Sequence, residues 1–310
     1  METRLETQQQ VRFGTLRRLL SGNVTQKELM VLLLAPATLF LATVIVYPLL
    51  RTLYLSTHFV KLSMPGKGTP FIGLENFVNL LTDGRFYHSL GITGIYGTGT
   101  IIFPLLIGLG MALVVNRIFP GRWLARAAVI LPWAMPRSLS ALMWAWIFNS
   151  SYGFINGTLL RLGLIEDTIL WLGNTDLAMA SLIFASTWKT GSFMALIILA
   201  GLQSIPQQLY DSGKVDGATP FQAFRHITLP LLRPSILIAL IFRTIVAIQV
   251  FDTPYALTKG GPGISTEPLS LYIHRVTLNH LDFGYGSALA LFMILITLGI
   301  AVLYIRVLGD

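Results

Sequence analysis

Cysteine is absent from the 310-residue chain, and charged residues are scarce, at 12% of the sequence. Without cysteine the chain can form no disulfides, thiolate metal sites or cysteine nucleophiles. Soluble domains carry about a quarter charged residues, so the low charge and the 54% hydrophobic content argue against a soluble enzyme. The formal charge is +8, which we interpret as the positive-inside bias of a membrane protein rather than as a surface for nucleic acid.

Familiar catalytic and nucleotide-binding motifs are missing as well. The sequence contains no GxxxxGK[ST] phosphate loop, no HExxH motif and no GxSxG motif. Its five histidines are scattered along the chain and form no metal-ligand cluster. The sequence therefore predicts a chain that is not an enzyme, binds no metal or cofactor itself and does not hydrolyse ATP.

Apolar segments long enough to cross a bilayer recur along the chain. We predict an all-α integral membrane protein with a transmembrane domain over 29–308 and six transmembrane helices, at about 29–55, 86–116, 127–150, 177–203, 234–256 and 286–306. With the N-terminus inside, the inner connections carry more Lys and Arg than the outer ones. This bias predicts that both termini are cytoplasmic and that 1–28 is a cytoplasmic tail able to meet anionic membrane lipid.

The polar connection at 204–233 differs from the other connections. Pro206 and Pro220 can each begin a short helix, and we expect the second helix to stop at Pro230. Apolar residues recur at helical spacing in this segment, at Leu209, Val215, Phe221, Phe224 and Ile227. This pattern favours a cytoplasmic docking surface over a simple linker.

The same connection, read as IPxxLYxxxxVDGAxxxxxFxxITLPxxxP, resembles the EAA loop of permease subunits in binding-protein-dependent ABC importers. Asp211, Ser212 and Gly213 stand where the pattern has Glu-Ala-Ala. The resemblance implies that this loop couples the chain to ATPase subunits. The residues to which it assigns that role are Asp211, Ser212, Gly213, Asp216, Gly217, Ala218, Phe221, Ile227, Leu229 and Pro230.

Three further segments, FIGLENF, LPWAMP and FDTPYALTKGGPGIST, resemble the carbohydrate-uptake branch of this family, of maltose/glycerol-3-phosphate type, and its F-type subunit. The resemblance implies the ABC type I importer permease fold in a prokaryotic plasma or inner membrane. It also implies a heterodimer with a G-type permease subunit, an extracytoplasmic sugar-binding protein, and two ATP-binding cassette ATPase subunits that use ATP and Mg.

Charged residues inside apolar segments are the remaining signal, because each costs about 2.5–3.5 kcal/mol on insertion scales. Helical spacing places two groups of side chains on shared faces, Ser186, Lys189, Thr190 and Phe193 on one and Arg243, Ala247 and Val250 on another. The resemblance implies that both stripes line a sugar site. Two alternatives stay open: a buried ion pair of Asp252 with Lys189 or Arg243, and an ion-coupled secondary transporter that uses these three residues as a relay.

Overall fold

The computed structural model describes residues 25–308, in which the extended secondary structure elements are all helices. This confirms the all-α class; the predicted tail over 1–28 falls mostly outside the described residues. The helix α1 covers Gln26–Leu41 and continues through a π-helical turn, Ala42–Val46, into Tyr47–Ser56. The later helices are α2 (Glu75–Thr82), α3 (Gly84–Asn116), α4 (Arg122–Ala134), α5 (Arg137–Ile147), α6 (Phe154–Arg161), α7 (Thr175–Gln203), α8 (Gln207–Val215), α9 (Pro220–Ile248), α10 (Asp252–Leu257), α11 (Leu269–His274) and α12 (Phe283–Leu308).

Five helices in this part of the chain are long and apolar enough to cross a membrane: α1, α3, α7, α9 and α12. All of the helix α1 except its last two residues belongs to an N-terminal unit that ends at Tyr54, and the other four helices belong to a unit that starts at Leu55. The apolar side chains of α1 are exposed on every face of the helix, an arrangement that is stable in lipid and unfavourable in water.

The helix α7 lies at the centre of the second unit and packs against α3, α4 and α9. Glycines bring these backbones together. A Cβ on Gly108 of α3 would lie 2.6 Å from Cβ of Met194, and a Cβ on Gly201 of α7 would lie 2.2 Å from Oγ of Ser235 on α9. Such close approach is typical of helix pairs in membranes, and it fixes how α7 presents its polar face.

The structure divides the segment predicted as a single helix at 127–150. Helix α4 ends at Ala134, Met135 is extended with φ −70° and ψ 141°, and α5 begins at Arg137. The physical reason is Pro136, because proline disfavours the helical region for the residue before it and offers no N–H to the carbonyl of Pro132. The sequence analysis treated 127–150 as one helix and did not predict the break at Met135–Pro136.

Two further boundaries near α9 were wrong. The helix does not stop at Pro230 but runs on to Ile248, because a π-helical turn at Phe224–Thr228 widens the backbone before the proline ring. The predicted helix at 234–256 is also interrupted after Ile248, and α10 starts afresh at Asp252. The carbonyl of Val250, freed by this interruption, accepts a hydrogen bond from the hydroxyl of Ser270.

Candidate functional site

A cavity of about 380 Å³ lies where the α4–α5 break faces α7 and α9. The break contributes aromatic and basic side chains, α7 its polar face and α9 a guanidinium. The lining residues are Trp133, Met135, Pro136, Arg137, Lys189, Thr190, Phe193, Phe242, Arg243 and Val246. The cavity therefore combines three cations with aromatic surface.

Lys189 closes the C-terminal end of α4. Its ammonium donates hydrogen bonds to the carbonyls of Pro132 (3.2 Å), Trp133 (3.0 Å) and Met135. These carbonyls lack helical partners because the helix breaks at Pro136, and a cation at a helix C-terminus also interacts favourably with the helix dipole. Lys189 is thus held as an interhelical cap, and its three N–H donors are all engaged.

Arg243 is the buried cation of the cavity, with 3% of its surface exposed. Its Nε donates a 2.6 Å hydrogen bond to the carbonyl of Thr100 on α3. Its Nη2 is enclosed and finds no hydrogen-bond partner among residues 25–308. The hydroxyl of Tyr96 also contacts the guanidinium. A buried guanidinium whose described partners are all neutral is costly in an apolar segment, so a counter-charge from outside the described residues would stabilise it.

Arg137 and Asp252 form the ion pair nearest the cavity. The closest oxygen of Asp252 lies 3.9 Å from Nη1 of Arg137, and both side chains are about half exposed. The pairing considered from the sequence, with Lys189 or Arg243, is not the one observed. Because Asp252 begins a separate helix instead of continuing α9, it faces the start of α5.

Aromatic rings form one wall of the cavity. Trp133 and Phe193 lie nearly parallel, with ring centroids 6.3 Å apart and an interplanar angle of 20°. Rings of this kind offer flat apolar surface against which the apolar face of a ligand can pack.

The structure gathers most of the predicted binding residues. Lys189, Thr190, Phe193 and Arg243 line this cavity, and Ser186 and Val250 join Lys189, Thr190 and Arg243 around an adjoining smaller one. Ala247 lines neither cavity and is fully enclosed.

Sequence reasoning missed several lining residues, namely Tyr96, Trp133, Arg137, Phe242 and Val246. The LPWAMP segment contains the signal for Trp133 and Arg137, because its second proline had to break the helix there. Tyr96, whose hydroxyl lies 2.7 Å from Oγ of Ser186, gave no such signal. Its position depends on how α3 packs on α7.

The second candidate site is the turn between α8 and α9. Gly217 adopts a left-handed conformation with φ +75°. The amide of Ala218 donates to the carbonyl of Gly213 at 2.8 Å and that of Gly217 to Lys214 at 3.1 Å. This is the Schellman arrangement that ends a helix. A reciprocal capping box between Thr219 and Gln222 then starts α9.

A groove of about 860 Å³ lies beside this turn, bounded by α8, the first turns of α9 and the ends of α3 and α7. Tyr210 and Thr228 tie α8 to α9 through a 3.0 Å hydroxyl contact. Phe221, which lines the groove, and Val215 are 69% and 88% exposed. Two large apolar side chains left so open on a rigid turn are typical of an interaction surface.

Asp211 lies on the exposed face of α8. Its carboxylate accepts hydrogen bonds from Gln207 (3.3 Å) and Lys214 (3.2 Å). The hydrogen bond from Gln207, followed by that from Lys214, lowers the pKa of Asp211 below its usual value. The group is therefore a solvated anion at neutral pH, available to a basic partner. A Cβ on Gly213, two residues further along α8, would lie 3.3 Å from the Ile227 side chain, so the small residue keeps α8 and α9 close.

A further polar cluster joins the start of α3 to the segment before α11. Glu267 is fully buried and contacts Arg85 (2.9 Å) and Arg275 (2.9 Å). Asp83 accepts hydrogen bonds from the hydroxyls of Tyr272 (2.5 Å) and Tyr285 (2.7 Å). These contacts hold the segment over α3 by paired charges, which suits a structural role.

Within residues 25–308 there is no group of three or more His, Asp or Glu side chains that could hold a metal ion.

Comparison with known proteins decides the family. Residues 105–308 match the model of the binding-protein-dependent transport system inner membrane component. The chain belongs to this family. The permease is accordingly a transport component and not itself an enzyme, and the family resemblance inferred from the connection at 204–233 is confirmed.

Named relatives cover nearly the whole permease. It is 46% identical to the sulfoquinovosyl glycerol transport system permease protein SmoG of Agrobacterium fabrum, over 90% of both chains. It is 37% identical to the trehalose/maltose transport system permease protein MalF of Thermococcus litoralis, over 93% of this chain and 98% of the relative.

The fold is also found among solved structures. The permease aligns with a chain of a bacterial ABC transporter involved in the import of the acidic polysaccharide alginate, with a TM-score of 0.79 and 24% identity over 93% of this chain and 97% of that one. This similarity shows the importer permease fold in the described chain.

Proposed function

We propose that the permease is the F-type subunit of an ATP-driven carbohydrate importer in a prokaryotic plasma or inner membrane. Support comes from the relatives, whose names refer to sulfoquinovosyl glycerol and to trehalose and maltose. The cavity between α4, α5, α7 and α9 is the substrate site in this proposal, with Lys189, Thr190, Phe193 and Arg243 on its wall. An extracytoplasmic binding protein delivers the sugar, and a second permease subunit completes the pore.

The observation that carries the coupling role is the rigid turn between α8 and α9. Its helices are fixed by the Schellman turn at Gly217 and by the capping box, yet Val215 and Phe221 remain exposed. In the proposal this surface docks in a groove of an ATPase subunit, and two such ATPases use ATP and Mg. When the ATPases close, the docked helix pair moves α9, which also carries Arg243. ATP binding and substrate binding then act on the same equilibrium between inward-facing and outward-facing states.

Membrane topology completes the proposal. The helices α4 and α5 together form a broken third crossing, so that the chain crosses the membrane six times with both termini in the cytoplasm. The α8–α9 turn then lies on the cytoplasmic side, where ATP is available. Lys189 serves as a backbone cap and Arg137 pairs with Asp252, so the ion-relay alternative gains no support.

The test uses the complete importer with Phe221→Ser and with Gly217→Val, each assayed for membrane level, ATPase co-purification and uptake. We expect Phe221→Ser to leave the membrane level unchanged while the ATPases are lost, because its side chain is exposed and packs little. Gly217→Val should lose coupling as well, since a β-branched residue at positive φ costs about 1–2 kcal/mol. Glu166→Gln, an exposed change in the connection before α7, is the matched control.

Two outcomes would contradict the proposal. Full uptake and normal ATPase attachment in both variants would mean that this turn is not the coupling element. Uptake that survives ATP depletion but stops when ion gradients are collapsed would identify an ion-coupled carrier instead.

A further inference from the structure

The cavity between α4, α5, α7 and α9 carries an excess of positive charge. Arg137, Lys189 and Arg243 all line it, and no carboxylate of the described residues is part of its lining. The nearest acidic group, Asp252, lies 3.9 Å from Arg137. Three cations thus face one peripheral anion in a membrane-embedded region.

The three cations differ in how well they are compensated. Lys189 donates to three carbonyls at the negative end of α4, so its charge is matched by the helix terminus. Arg137 has Asp252 at the limit of contact distance. Arg243 contacts only neutral groups among the described residues, the Thr100 carbonyl and the hydroxyl of Tyr96, and its enclosed Nη2 donates to no described residue.

An uncompensated guanidinium in an apolar segment is expensive unless an anion meets it. We propose, on the basis of the importer function proposed above, that the transported carbohydrate bears an anionic group, a carboxylate or a sulfonate. That group pairs with Arg243 and Arg137, while the sugar ring packs on the Trp133–Phe193 wall. A neutral sugar would leave Arg243 without a counter-charge and Arg137 with Asp252 alone, at 3.9 Å.

The experiment measures ligand binding to the assembled permease–ATPase complex in nanodiscs, without the binding protein, by isothermal titration calorimetry. The probes are methyl β-D-glucoside, methyl β-D-glucuronide and the 6-deoxy-6-sulfonate of methyl β-D-glucoside. We expect at least one anionic probe to bind about tenfold more tightly than the neutral one, the gain from one charge-assisted hydrogen bond. The stronger of the two distinguishes a carboxylate site from a sulfonate site.

Variants assign the preference to the guanidinium groups. Arg137→Gln, a change in a half-exposed side chain, and Arg243→Gln should each bring the affinities for anionic and neutral probes together. Arg243→Lys keeps the charge and should retain part of the preference. Arg161→Gln, an exposed change at the end of α6, should leave the preference unchanged.

Equal affinities, tighter binding of the neutral probe, or no measurable binding of either anionic probe would overturn the inference. Such a result would leave the importer function intact if ATP-driven uptake of a neutral sugar by the complete system were normal. Absence of ATP-driven uptake of any carbohydrate would instead refute the proposed function itself.

Discussion

Asp83 accepts hydrogen bonds from three directions at the N-terminus of α3. The amide of Arg85 donates to Oδ1 at 2.8 Å, and the hydroxyls of Tyr272 and Tyr285 donate to Oδ2. Burial alone would raise the pKa of Asp83, but the hydrogen bonds from Tyr272, Tyr285 and the backbone outweigh it and lower the pKa below its ordinary 3.8. Burial, and then the hydrogen bond to Asp83, raises the pKa of Tyr272, so that Tyr272 stays a donor.

We therefore predict that Asp83→Asn destabilises the complex by about 2 kcal/mol at neutral pH, the usual effect of losing charge-assisted hydrogen bonds at a helix cap. Because the folded pKa of Asp83 is depressed, its stabilisation is complete above 3.8 and is lost as the pH falls through the folded value. Thermal unfolding in detergent at several pH values should show the difference from wild type shrink at acidic pH. Asp167→Asn, an exposed change, should show no difference, and an effect of Asp83→Asn that is constant down to acidic pH would contradict the argument.

At the scale of elements, the break between α4 and α5 creates the cavity. Pro136 ends the helix, Lys189 from α7 caps the freed carbonyls, and Arg137 begins α5 at the cavity wall. Without the break, the carbonyls of Pro132 and Trp133 would lie inside a continuous helix and Lys189 would have no helix end to cap. The proposed substrate site therefore depends on this cap as much as on its own lining.

We predict that Lys189→Met raises the sugar concentration required for half-maximal uptake, because the end of α4 loses its cap and Trp133 shifts. Lys189→Arg, which keeps a cation with several donors, should restore most of the affinity. Uptake kinetics and membrane level are measured together, with Lys67→Met, an exposed change, as the control. Normal uptake kinetics in Lys189→Met with normal assembly would show that the cap does not hold the site.

At the scale of the whole molecule, the family and the chain's length and apolar content agree with a transport pore. The described residues provide five uninterrupted helices long enough to span a membrane, and the proposed sixth crossing is the pair α4 and α5. The orientation depends on the distribution of Lys and Arg, which cytoplasmic connections retain.

The absence of cysteine makes this topology directly measurable. We predict that Lys67→Cys, in the loop before α2, reacts with a membrane-impermeant maleimide in intact spheroplasts. Ser212→Cys on α8 should react only after the membrane is opened. Labelling of both variants in detergent without ATPase subunits shows that each thiol is reactive, and the reverse pattern in spheroplasts would invert the proposed orientation.

Local signals in the sequence predicted much of the fold. Apolar length identified α1, α3, α7 and α12, and Pro206 with Pro220 placed the starts of α8 and α9. The predicted end of the helix at Pro230 was wrong, because the π-helical turn at Phe224–Thr228 lets the helix continue past the proline. Hydropathy also could not predict the interruption after Ile248. The carbonyl of Val250 in this interruption accepts a hydrogen bond from Ser270, a contact between residues distant in sequence that local hydropathy does not contain.

The sequence by itself determined the class of molecule, the turn between α8 and α9, and the stripes that carry Lys189 and Arg243, because these depend on composition and on local spacing. Only the tertiary structure decided what those side chains do. It placed Lys189 on the end of α4, left Nη2 of Arg243 without a hydrogen-bond partner among residues 25–308, and paired Asp252 with Arg137. The physical reason is that the free energy of a charge in an apolar medium depends on the groups that compensate it. Here each of those groups comes from another part of the chain, brought close only by helix packing.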